Sequence, residues 1–174
     1  NDATHLQIRI DGTNLKDEIV VWYDSKTDRV EAGINDGSGW ITESWPVADL
    51  IRLHAHLDIY GWKGNDTMGQ YTAFTTYMHG DYGNDTITGG NGKNFLHGGP
   101  DHDTLIAGTF GTELSGDEGN DFLKGGEKND TLHGGSGMDI LYAGAGDDKL
   151  YGGDGSDYLY GEGGYDKLYG DYDY

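Results

Sequence analysis

From Gly80 to Tyr169 the chain places one branched aliphatic residue every nine positions, without an insertion. The series reads Ile87, Leu96, Leu105, Leu114, Leu123, Leu132, Leu141, Leu150, Leu159 and Leu168. If Gly80 is position one of the first repeat, these are position eight. Position six is Asp in eight of ten repeats: Asp85, Asn94, Asp103, Thr112, Asp121, Asp130, Asp139, Asp148, Asp157 and Asp166. Position one is Gly in eight of ten, with Ala107 and Ala143 as exceptions. A helix face needs about three apolar residues in seven, so this spacing excludes an amphipathic helix. One aliphatic flanked by alternating neighbours suits the inward residue of a three-residue strand. The remaining Gly-rich, acidic residues must turn the chain. A single inward side chain needs an opposing sheet to bury it. Alternate repeats therefore go to opposite sheets, two repeats make a coil, and repeats n and n+2 stack.

Stacking collects the turns into two files. One edge carries Asp85, Asp103, Asp121, Asp139 and Asp157; the other carries Asn94, Thr112, Asp130, Asp148 and Asp166. Carboxylates repeated at the strand spacing of roughly 4.8 Å repel unless a cation stands between them. Asp oxygens and turn carbonyls are hard donors, which suit Ca²⁺ in six- to eight-fold coordination. Mg²⁺ prefers a smaller octahedron and keeps its waters. Zn²⁺ favours His or Cys, and the chain has no Cys. A cation between each adjacent Asp pair predicts about four sites on the first edge and about two on the second, about six in all. The Asn94/Thr112 layer is expected to be empty.

Composition agrees with an elongated, cation-dependent fold. Only 34% of the 174 residues are hydrophobic, which disfavours a broad globular core. The formal charge of −20 disfavours nucleic acid and anionic lipid as partners and resists compaction unless it is neutralised. No apolar run approaches the roughly 18 residues of a membrane span, so membrane insertion is not expected. The sequence begins at Asn1 and stops at Tyr174 in mid-repeat, which reads as a processed or excised piece.

The segments "GGSGMDILY" (134–142) and "GGDGSDYLY" (152–160) match G-G-x-G-x-D-x-U-x at every defined position. "GDEGNDFLK" and "GDYGNDTIT" differ only at the second. The chain therefore resembles the RTX (repeats-in-toxin) calcium-binding nonapeptide family over about residues 61–174. The resemblance implies an all-β parallel β-roll with Ca²⁺ between successive turns. Side-chain oxygens would come from the eight Asp residues above. Carbonyls would come from glycine-rich loops containing Gly83, Gly119, Gly137, Gly146, Gly155 and Gly164. At position four, Asp101, Phe110 and Lys128 stand where the motif has Gly. The resemblance also implies a secreted, bacterial, extracellular protein.

The N-terminal third is less regular. Residues 1–60 read as degenerate β-rich coils or a cap, with alternation at Leu6–Ile8–Ile10, Ile19–Val21–Tyr23, Val30–Ala32–Ile34 and Ile51–Leu53. "IDGTNLKDEIVV" is similar to the degenerate opening coils of calcium-binding repeat proteins from environmental bacteria. Residues 61–79 are transitional, with Asp66, Met68 and Met78 in register, and 80–174 form the β-roll. His54 and His56 would share a strand face as a zinc pair could, but no third ligand lies nearby, so a surface pair is expected. No HExxH, P-loop or GxSxG motif is present, and no enzyme is expected.

Positions seven and nine point outward. One sheet then presents Phe122, Ile140, Tyr142, Tyr158 and Tyr160, either as a stabilising ladder or as a surface for self-association or a polysaccharide. The other ends in Lys149, Tyr151, Lys167 and Tyr169. Three functions fit the sequence. They are a calcium-folded structural or adhesive repeat protein, a head-to-tail filament or matrix subunit, and the secretion and folding segment of a larger enzyme or toxin.

Overall fold

The computed structural model describes residues 7–12, 17–24, 29–35, 37, 40–46 and 56–170. Leu6, Ile51, Leu53, His54, Asp171 and Asp173 lie outside the described residues. Every regular element among the described residues is a strand, numbered here in chain order. The first sheet is parallel throughout. Its strands, in spatial order, are β1 (Gln7–Asp11), β5 (His56–Tyr60), β7 (Thr75–His79), β9 (Asn94–Pro100), β11 (Glu113–Glu118), β13 (Thr131–Ser136), β15 (Lys149–Asp154) and β17 (Lys167–Tyr169). The second sheet runs β16 (Tyr158–Tyr160), β14 (Ile140–Tyr142), β12 (Phe122–Lys124), β10 (Thr104–Ile106), β8 (Thr86–Thr88), β6 (Thr67–Gln70), β2 (Glu18–Asp24), β3 (Arg29–Asn35) and β4 (Trp40–Pro46).

Successive repeats alternate between the sheets, so the chain is a parallel β-solenoid with two nonapeptides per coil. Leu105 pairs with Leu123 and Leu123 with Leu141 in one sheet; Leu114 pairs with Leu132 and Leu132 with Leu150 in the other. Each inward aliphatic therefore lies on its counterpart one coil away. The core is these two facing columns: Ile87, Leu105, Leu123 and Leu141 against Met78, Leu96, Leu114, Leu132 and Leu150, all fully buried. Met68, Ile19 and Ile59 extend it toward the N-terminus. In the second sheet the repeat strands are three residues long, as the spacing predicts. In the first sheet they lengthen to six or seven residues in β9, β11, β13 and β15, because the start of the following turn keeps pairing with its copies in the neighbouring coils.

The N-terminal third divides in two. β1 and β2 are true coil strands, pairing in parallel with β5 and β6. β3 and β4 are not coils, and β4 falls in a stretch where the alternation predicted no strand. Both run antiparallel beyond β2, with Val21 opposite Ala32 and Ile34 opposite Ile41. They cover the outer edge of β2 and place Ala32 in the core, as an edge-protecting cap does.

This packing makes a direct prediction. Leu132→Ala, at a position fully buried between Leu114 and Leu150, should cost about 2–5 kcal/mol in denaturant unfolding at fixed calcium. Ile140→Ala, on the outer face, should cost about 0.5 kcal/mol. Equal losses at the two positions would contradict the inward and outward assignment.

Candidate metal centre

Each turn from the first sheet into the second repeats one backbone shape. Position two has positive φ at Trp62, Asp81, Gly99, Asp117, Gly135 and Gly153; position four has it at Gly64, Gly83, Asp101, Gly119, Gly137 and Gly155. Glycine at position four meets a packing demand as well as a conformational one. A Cβ on Gly119, Gly137 or Gly155 would strike the carbonyl oxygen of the stacked residue one coil before: Asp101, Gly119 or Gly137 respectively. Asp101 departs from the motif yet keeps the turn with φ 85°, a conformation Asp tolerates better than most residues.

This shape sets the carboxylates. The backbone N–H of each position-six residue donates to Oδ1 of the Asp one coil further on. Asp85 donates to Asp103 at 2.7 Å, Asp103 to Asp121 and Asp121 to Asp139 at 2.8 Å, and Asp139 to Asp157 at 2.9 Å. The ladder extends back through the transitional repeat, from Asp66 to Asp85 at 2.7 Å, and past it from Asp17 to Asp66 at 2.6 Å. Asp17 was not legible as a file member because its repeat is interrupted by β3 and β4. The signal lay in Gly12, Asp17 and Ile19, which keep the spacing of positions one, six and eight.

The second carboxylate oxygen is left over. Oδ2 of Asp85, Asp103, Asp121, Asp139 and Asp157 is buried without a hydrogen-bond partner. It points toward position one of its own turn. A Cβ on Gly116 would collide with Asp121 Oδ2 and stand 2.6 Å from the carbonyl oxygen of Gly134, one coil on; Gly80 has the same relation to Asp85 and to Gly98 O. A carboxylate oxygen and a main-chain carbonyl thus converge beside Gly80, Gly98, Gly116 and Gly134. Buried oxygens of this kind are costly unless something satisfies them. No three His, Asp or Glu side chains among the described residues form a metal-holding group. The carbonyls beside these glycines are oxygen donors of the kind a hard cation takes.

The two edges differ. On the second, Asp130 donates to Asp148 Oδ1 at 2.7 Å, and Asp148 to Asp166 Oδ1 at 3.0 Å. Asp148 Oδ2 is buried and unpartnered, but Asp130 Oδ2 accepts the N–H of Gly126 at 2.7 Å. Gly146 and Gly164 adopt the positive φ of the regular turn. Asn94 and Thr112 supply no carboxylate. Both position-one alanines, Ala107 and Ala143, fall on this edge, so a methyl stands where every first-edge turn has glycine.

The model of the RTX calcium-binding nonapeptide repeat family, in four-copy form, matches residues 75–110, 115–150 and 133–168, which together span more than half of the chain. The chain belongs to the RTX family. It is a calcium-binding repeat protein, and its buried file of Asp Oδ2 atoms and carbonyls fits the ion these repeats bind. No curated protein and no solved structure matches the RTX chain.

The outer faces of the RTX roll are aromatic ladders. Tyr142 stacks on Tyr160 at 4.5 Å, and Phe122 meets Tyr142 tilted at 5.8 Å. Ile140, Tyr158 and Tyr160 are exposed, while Phe122 and Tyr142 are half-buried. Tyr142 and Tyr160 turn their faces to each other, so this surface offers mainly ring edges and hydroxyls. The opposite sheet stacks His133, Tyr151 and Tyr169. His56 lies 3.7 Å from Asp58 and edge-on to Tyr77.

Burial, opposed by the backbone hydrogen bond and reinforced by neighbouring carboxylates, pushes Asp103 up to about 8 and Asp85 up to about 7. The same causes raise Asp121 and Asp139 to about 6. Asp130 and Asp148 are also raised, with burial the largest cause. A carboxylate whose folded pKa lies above its unfolded value stabilises the fold at low pH, and that contribution is lost as pH rises through the folded value. Calcium requires the deprotonated form, so its binding weakens on acidification through the same window, from about 8 to about 6. Chelator-stripped protein should therefore melt higher at pH 5 than at pH 8, whereas the stabilisation that saturating calcium adds should be smaller at pH 5. Thermal melts with and without saturating calcium at both pH values check this. Parallel trends in the two would show that these carboxylates are not where calcium binds.

Proposed function

We propose that this chain is an extracellular structural or adhesive module that calcium folds into a rigid roll. In this reading ions lie beside the leftover Asp Oδ2 atoms, held by those oxygens and by carbonyls of the flanking glycine-rich turns. Most of them occupy the first edge, at Asp85, Asp103, Asp121, Asp139 and Asp157, with Asp148 and Asp166 forming the regular part of the second. The observation that carries this is the row of buried carboxylate oxygens with no partner in the protein. The formal charge of −20 gives the same reason on the scale of the whole chain: the roll closes only when its carboxylates are neutralised. At the low calcium of a cytoplasm it would be loosely ordered, and it would fold outside, where modules of this kind bind at roughly 0.1–1 mM. Catalysis forms no part of this reading.

The test is a calcium titration of EDTA-stripped protein followed by circular dichroism and light scattering together, with Mg²⁺ as the control. β-structure should grow with Ca²⁺ and not with Mg²⁺, and scattering should stay at the monomer value. Scattering that rises with the same midpoint would instead favour calcium-driven assembly. No change in either signal would sink the proposal. Asp121→Asn keeps an acceptor for the Asp103 N–H but removes the charge beside Gly116. It should raise the calcium midpoint and lower the number of ions bound. Asp154→Asn, at an exposed position, should change neither.

A further inference from the structure

The second edge closes its N-terminal turns differently from every other turn. Asn94, at position six, is fully buried. Its Nδ2 donates to the carbonyls of Gly92 at 2.8 Å and Gly90 at 3.3 Å. Its Oδ1 accepts from the Gly90 N–H at 3.2 Å and from Gln70 Nε2 at 2.8 Å. Gln70, also fully buried, completes the layer before by accepting the N–H and hydroxyl of Thr72 at 2.7 and 2.8 Å. An ionised Asp has no donor to offer those two carbonyls; the amide does.

We infer that the Asn94 amide takes the place of an ion, so that the coils around β8 to β11 require calcium on one edge only. The coils beyond Asp139 require it on both and form at higher calcium. The next two layers continue the pattern. Thr112 Oγ1 donates to the carbonyl of Phe110 at 2.9 Å, and the N–H of Gly126 satisfies Asp130 Oδ2. Backbone geometry marks the same boundary independently. No residue in 89–94, 107–112 or 125–130 has positive φ, whereas Gly144, Gly146, Glu162 and Gly164 do. The edge thus changes between Asp130 and Asp148, from turns closed by side-chain donors and backbone N–H groups to turns of the ion-binding shape. This rests on the calcium-folding reading and adds an order to it.

The test is hydrogen–deuterium exchange of the full chain across a calcium titration, comparing peptides from β8–β11 with peptides from β14–β17. Protection of β8–β11 should have a calcium midpoint at least about twofold lower, since its second edge is closed by neutral groups and buries no carboxylate that an ion must neutralise. Asn94→Asp should raise the β8–β11 midpoint by at least about twofold while leaving that of β14–β17 in place, with full protection at saturating calcium. Gln70→Met removes the amide partner without adding charge and should shift the same midpoint in the same direction. One midpoint for all coils, or an unmoved β8–β11 midpoint in both variants, would overturn the inference while leaving calcium folding intact. No calcium response in any peptide would overturn both.

Discussion

Repulsion between stacked carboxylates is the constraint on which the rest of this structure depends. A nonapeptide wound two to a coil returns the same residue to the same place in every layer, at the strand spacing of roughly 4.8 Å. For leucine that repetition is favourable, because each side chain meets its own copy and a continuous core forms from one residue per strand. For aspartate it is costly. The fold divides each carboxylate between two tasks: Oδ1 accepts a backbone N–H from the preceding coil, and Oδ2 turns toward the carbonyls of the next. The first task is complete within the protein. The second needs a positive charge from outside.

The first task explains why these aspartates differ from surface acids bordering a groove. Each N–H that donates to an Asp Oδ1 would otherwise be a buried donor without an acceptor, so the carboxylate closes the backbone as well as facing the ion site. An Asn at the same position accepts the N–H equally well but brings two donors of its own. Asp and Asn at position six therefore lead to opposite turns. One leaves oxygens that need a cation, and the other, as at Asn94, ties its own loop closed. Glycine at position one leaves room for Oδ2 in the first-edge turns, where a Cβ would collide with it. Both alanine exceptions fall on the edge that has lost part of its Asp file.

The regular part of the fold was legible because every layer obeys one rule. Spacing alone gave two repeats per coil, the alternating sheets, the leucine columns and the membership of both Asp files. The antiparallel β3 and β4 were less accessible: alternation at Val30, Ala32 and Ile34 announces a strand but not its direction, and β4 gave no comparable signal. Their direction follows from pairing with β2, a tertiary choice. Asp17 was hidden for a related reason. Its Gly12–Asp17–Ile19 spacing is intact, but β3 and β4 separate it from Asp66 and break the nine-residue phase that made the other repeats visible. The use of Asp130 Oδ2 depends on where the Gly126 N–H points, which follows from a turn conformation that glycine content does not specify.

A solenoid of this kind is coupled only between neighbours, and here the coupling runs through single atoms. The Asp121 carboxylate touches the Asp103 backbone through Oδ1 and faces the Gly134 carbonyl through Oδ2, so it joins three consecutive coils. A charge held at that point would favour the coil before and the coil after together, so the proposed calcium folding ties propagation of the roll to closure of each turn. The −20 charge acts against that propagation everywhere it is not locally neutralised. A stretch that closes one edge with amides, hydroxyls and backbone N–H groups, as the coils from Gln70 to Asp130 do, lowers the number of charges each new coil must neutralise. Such a stretch is where a chain this acidic meets the least resistance to starting a roll.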